Sequence, residues 1–146
     1  RAWCYPLEMG IGTVTVRFMM DLLRADSLGF PSEADCRTVE AYLNTVRPVA
    51  VKEVYVVAPI PYRLDTIVHN LVPDTPTMRA GIEASLQAML YQFAKPGQTI
   101  YVAWKYFAIM STPGIEHFDL LDEDQPMPSP GHMPVLGDIS YGSSAS

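Results

Sequence analysis

The chain has 146 residues, 49% of them hydrophobic and 18% charged, which suits one folded domain and excludes an intrinsically disordered segment. Ten basic against sixteen acidic residues give a net charge of −6, which argues against a phosphate-neutralising nucleic-acid surface and against a polybasic membrane surface. A bilayer span takes roughly 20 consecutive apolar residues, and neither such a run nor an N-terminal secretory signal occurs.

The sequence opens on Arg1 and not on Met, so a longer polypeptide is expected around it. Cys4 and Cys36 are too few for a disulfide framework and read as two separate thiols of a reducing compartment. Gly12–Met20, "GTVTVRFMM", alternates strictly. A half-buried strand is expected there, with Val14, Val16, Phe18 and Met20 on the covered face. Arg24–Pro31 is a polar loop bearing Gly and Pro.

Ser32 then opens a helix, with Asp35 placed to complete a capping box and Cys36, Val39, Leu43 and Val46 forming an apolar stripe. Pro48 ends it at Arg47, because proline disfavours helical backbone in the residue before it. Lys52–Val72 is β-rich, and Pro59 and Pro61 break it into two strands. The second, from Tyr62, lacks clean alternation, so its buried face is not assigned.

Thr75 and Pro76 start the next helix. Met78, Ile82, Leu86, Met89, Leu90 and Phe93 make its stripe, and Pro96–Gly97 stop it. A short helix is expected from about Ala103, burying Trp104, Phe107, Ala108 and Met110 and ending at Gly114. "IEHFDLL" and Val135–Tyr141 read as strands of a C-terminal hairpin. The proline-rich stretch between them, with the tail from Gly142 onward, reads as irregular.

The fold class expected is therefore α+β: a mostly antiparallel sheet with two main helices on one face, a split βαβ-like core of order β-α-β-β-α, a short helix and a C-terminal hairpin. One domain over residues 1–141 and a disordered tail over 142–146 are expected.

The segment that most resembles a catalytic or metal site is "GIEHFDLLDEDQPM", with His117 among Glu116, Asp119, Asp122, Glu123 and Asp124. In a strand the neighbours Glu116 and His117 point to opposite faces, whereas His117 and Asp119 share one. No nucleophile joins that pair, and the acidic run lacks both the spacing and the glycine of a calcium loop. The segment reads as a strand running into a solvated acidic turn.

No His-x-x-x-His, Cys-x-x-Cys, phosphate-loop or dinucleotide spacing occurs, so no catalytic residue, metal or cofactor is assigned. Cys36 lies on its helix stripe and reads as core. Tyr91, Phe93, Trp104, Tyr106 and Phe107 are weighed as a partner patch and read as core. The proline stretch supplies the residues expected to contact a partner, namely Gln125, Met127, Pro128, Pro130, His132 and Met133.

Six stretches in order resemble a known family: "GIGTVTVRFM", "RAD…GFPSEAD…VEAYLNTVRPV", "VYVVAPIPYRLD", "PDTPTMRAGIEASLQAML", "KPGQTIYVAWKYFAIMSTPGIEHFDL" and "VLGDISY". Together they are similar to the C-terminal region of the baseplate J-like proteins, wedge components of contractile-tailed bacteriophages. The resemblance implies a structural, non-enzymatic role in a virion tail baseplate, assembled in the host cytoplasm. It implies as partners other baseplate wedge and tail proteins and copies of the chain around the tail axis, without nucleic acid, membrane, small-molecule substrate or cofactor. The other reading of the residues is a free-standing α+β domain that binds a ligand or partner without catalysis; a third is an enzyme using His117 and Asp119.

Overall fold

The first strand, β1 (Ala2–Pro6), turns back through Leu7–Gly12 into β2 (Thr13–Phe18). The two pair antiparallel, with Cys4 opposite Val16. Leu7, Gly10 and Gly12 all have positive φ in that turn, which favours glycine at the last two positions. Helix α1 (Glu33–Val46) follows, then β3 (Glu53–Val56), which runs parallel to β2 with Val14 opposite Val54. The sheet order is β1-β2-β3. β2-α1-β3 is thus a βαβ crossover without the intervening strand of the split form that the sequence suggested. The computed structural model describes residues 1–24 and 28–142.

The capping box forms as expected. Ser32 Oγ accepts from the Asp35 amide at 3.2 Å, and Asp35 Oδ2 accepts from the Ser32 amide at 2.8 Å. Arg24 also clamps Asp35, with both donors at 3.0 Å. The Arg24 guanidinium, then the Ser32 amide, hold the Asp35 carboxyl down at about 2, against an ordinary value of 3.8. As pH falls the unfolded chain takes up this proton first. The stabilisation is complete above the ordinary value of 3.8 and disappears as pH falls through about 2. Asp35→Asn should therefore be less stable than the parent at neutral pH and equal to it near the bottom of that range, measured in urea melts across pH.

Alternation in β2 is as read, but the covered face is the other one. Thr13, Thr15, Arg17 and the following Met19 are buried, whereas Val14, Val16, Phe18 and Met20 are half-buried. A period of two shows which residues share a face, not which face is covered. Arg17 tolerates burial because Glu8 receives its guanidinium on both carboxylate oxygens and the Tyr5 ring lies 5.2 Å from it.

The break at Pro59 and Pro61 separates more than two strands. The chain divides into two compact units, Arg1–Ile60 and Pro61–Ser146, where one domain over 1–141 was expected. The reason is that β3 closes the first sheet while the next strand, β4 (Ile60–Val72), opens a second one of order β5-β4-β6. In β4, Leu64, Thr66 and Val68 are buried in alternation. A bulge with Asn70 at φ 53° then shifts the phase to Leu71. That shift is why no buried face was legible in the sequence.

Helix α2 (Pro76–Phe93) is capped by Thr75 Oγ1, which accepts from the Met78 amide at 3.1 Å. It buries Met78, Ile82, Leu86, Met89 and Leu90, as its stripe predicts, but leaves Phe93 of that stripe exposed at the helix end. Helix α3 (Val102–Met110) buries Lys105, Ala108 and Ile109 and leaves Phe107 and Met110 exposed, where Phe107 and Met110 were expected inside. A helix apolar on nearly every side has no stripe from which to read its phase. Strands β5 (His117–Leu120) and β6 (His132–Gly142) do not form a hairpin. Both flank β4, and β5 runs antiparallel to it. β6 takes in Gly142 of the expected tail; residues 143–146 lie outside the described residues. The chain is α+β, with three helices and two three-stranded sheets among the described residues. No helix there is long and apolar enough to cross a membrane.

Candidate functional site

The acidic segment begins where Gly114, at φ 85°, turns the chain out of α3 and the Glu116 amide donates to the Val72 carbonyl at 2.9 Å. His117 and Asp119 share a face of β5, yet His117 Nε2 and Asp119 Oδ1 lie 3.6 Å apart, beyond a hydrogen bond. Asp119 is held instead by Asn70 at the β4 bulge, whose side-chain amide donates to Oδ2 at 2.6 Å.

Asp122 is turned inward. Its Oδ2 pairs with Lys105 Nζ, and its Oδ1 accepts from the Ile67 amide at 3.0 Å. Lys105 Nζ also donates to the Asp65 carbonyl at 3.4 Å. Asp124 Oδ1 accepts from the Val102 amide at 2.8 Å, supplying the cap that Tyr101 lacks at the start of α3. Glu116 and Glu123 are exposed. Each acid that faces the protein thus fixes an element: Asp119 the bulge, Asp122 the α3–β4 contact, Asp124 a helix end. Among the described residues, no three His, Cys, Asp or Glu side chains come together to hold a metal ion.

These assignments have unequal energetic consequences. Asp124→Ala should destabilise by about 1 kcal/mol through the lost cap. His117→Ala, an exposed side chain without a hydrogen bond, should stay within about 0.5 kcal/mol. Thermal melts of the two variants separate them, and equal effects would contradict a capping role for Asp124.

Cys36 is buried and Cys4 exposed, both as free thiols. Burial, reinforced by Asp35 and other acids nearby, pushes the Cys36 thiol up and away from reactive thiolate.

The proline stretch is pinned more than its composition suggests. Gln125 and Ile100 exchange two backbone hydrogen bonds of 2.9 Å, and Gln125 Nε2 donates to Tyr62 Oη at 3.3 Å. Exposure alternates from Gln125 to Pro130, with Pro126, Pro128 and Pro130 outward and Met127 and Ser129 half-buried, as in extended chain. Gly97, at φ 81°, lets the backbone of Pro130 approach; a Cβ there would lie 3.1 Å from its Cα. His132 belongs to β6, and its Nδ1 lies 2.6 Å from Ser129 Oγ. Met133 is 2% exposed and faces the core, which corrects its expected place in a contact loop. Val135 onward was read as the strand, and of the three residues thereby given to the loop, His132, Met133 and Pro134, the last two are buried.

The aromatic residues expected inside lie on the surface: Tyr91, Phe93, Tyr106 and Phe107 are exposed. Phe93 stacks on Trp104 at 4.9 Å between ring centres, and Phe107 helps line a groove of about 320 Å³ between α2 and α3. The sequence signal for this was Lys105. Two helical residues further on, at about 100° per residue, Phe107 points the opposite way. A buried Lys105 therefore forces an exposed Phe107, but a lone lysine reads first as solvated.

Residues 1–58 match the family described as the Baseplate J-like central domain. The match ends at Ala58, beside the unit boundary at Ile60. The chain is 31% identical to protein JayE of Escherichia coli (strain K12), over 97% of its own length and 52% of the relative's. It is also 31% identical to the Mu-like prophage FluMu protein gp47 of Haemophilus influenzae, over 97% of its own length and 41% of that protein's. The chain thus spans about half the length of the curated relatives it matches. The family resemblance read from its motifs stands, and the part matched is described as the central domain.

Proposed function

We propose, from the premise that residues 1–58 belong to the Baseplate J-like central domain family, that this chain is a structural, non-enzymatic part of a phage or prophage tail baseplate. The observation that carries the reading is the family match, extended along 97% of the chain by similarity to a Mu-like prophage protein. The acidic segment supports it, since its inward carboxylates are occupied in holding elements together.

In this reading the chain makes wedge-subunit contacts in a contractile tail, meets other tail proteins and copies of itself around the axis, and assembles in the host cytoplasm. Gln125, Met127, Pro128, Pro130 and His132 contribute to a contact surface, the prolines limiting the entropy lost on docking. The test replaces Pro126–Pro128 by Ser-Gly-Ser in the full-length protein of a phage or prophage that carries it, which leaves buried Met133 in place. Folding should survive, and the yield of tails containing the protein should drop. Normal infectious particles would remove this stretch from the contact surface. Assembled tails lacking the protein in the unaltered strain would overturn the baseplate reading itself.

A further inference from the structure

We infer that the open edge of β5 receives an extended, basic segment of a partner protein as an added strand of the β5-β4-β6 sheet. β5 is an edge strand by the sheet order. A groove of about 710 Å³ runs beside it, with Val102, Ala103 and Tyr106 of α3 on one wall and the continuous run His117–Leu121 on the other. Successive strand residues point to opposite faces. A groove touched by five in a row therefore follows the edge, which both faces share.

This edge is only partly protected: β5 is four residues long and carries Asp119, and α3 stands beside it without filling the groove. No proline or lysine lies within His117–Leu121, and the bulge sits on the neighbouring β4. The wall is apolar and partly open: the Tyr106 ring packs 5.0 Å from that of Phe118 and is half exposed, as is Leu121.

Charge selects the occupant. The groove holds Asp119 and neither Lys nor Arg, and Glu116 and Glu123 are exposed at the two ends of the strand. The cation nearest in the α3 wall, Lys105, is buried and committed to Asp122. A second copy of the chain would bring a further net charge of −6. The fit is a segment of another protein with apolar side chains towards Tyr106 and Val102 and Lys or Arg at the alternate positions. Main-chain hydrogen bonds would supply affinity and the alternate side chains selectivity.

The test needs only the purified full-length protein. The probe is the capped peptide Lys-Val-Lys-Leu-Lys-Val-Lys, compared by fluorescence anisotropy with a twin N-methylated at alternate amides and with a Glu-for-Lys analogue. The parent peptide should bind, with the N-methylated twin weaker by about tenfold or more and the Glu analogue weaker still. Ala103→Arg, which places a cation in the groove from an exposed helix position, should weaken the parent peptide comparably without altering far-UV circular dichroism. Equal binding of methylated and unmethylated peptides would mean charge attraction without strand addition and would overturn the inference, as would no binding. A concentration-dependent dimer dissolved by Ala103→Arg would assign the edge to a second copy instead. This inference stands on the groove and not on the baseplate role. Peptide binding is read on the purified protein and incorporation on tails, so either can fail alone.

Discussion

Lys105→Met should lower the unfolding free energy by about 3–5 kcal/mol. Lys105 and Asp122 both have side chains almost wholly removed from solvent, at 4% and 7% exposure. Removing the ammonium leaves a buried carboxylate whose compensation falls to the Ile67 amide. The loss should come from that uncompensated charge, since a buried pair against an apolar replacement is often neutral. Lys105→Met combined with Asp122→Asn should therefore recover most of the stability, because Asn is neutral and still accepts from Ile67. The reporter is Trp104 in a Trp3→Phe background, so that the fluorescence change belongs to the unit containing the pair. A double variant as unstable as the single one would mean that Lys105 acts by packing its methylenes.

Leu86→Ala should cost about 2–5 kcal/mol in the same unit. Leu86 is fully buried at the middle of the α2 stripe, so truncation removes apolar contact and leaves a cavity. Gln87→Ala, one residue on and exposed, should stay within about 0.5 kcal/mol. Urea midpoints compare the two, with the denaturant slope checked for constancy. Similar midpoints would show that the helix packs through another face.

Local grammar determined several elements from the sequence by itself. Ser32 with Asp35, Thr75 with Pro76, and Arg47 before Pro48 mark helix ends through contacts within a few residues, and each is present. The α2 stripe was legible for a related reason: one apolar face in an otherwise polar helix leaves a single way to bury it. Of the acidic segment only the strand was legible, and it begins at His117. The solvated turn expected after it is not there, because Asp122 turns inward to Lys105 and the Ile67 amide.

Tertiary structure decided what depends on a partner distant in sequence. Whether Lys105 points in or out depends on Asp122, 17 residues away, and its inward turn carries Phe107 and the aromatic face of α3 to the surface. The buried side of β2 depends on Glu8 and Tyr5 accepting Arg17. Strand order is likewise non-local. β5 and β6 neighbour each other in the chain but sit on opposite sides of β4, because the longest strand offers an edge to each. β1 escaped the sequence reading since Ala2–Pro6 is short and ends in proline; pairing with β2 makes it a strand. The groove along β5 belongs to the same class. It exists only because α3 lies beside an edge that β6 leaves open, and no residue within His117–Leu121 announces that by its own chemistry.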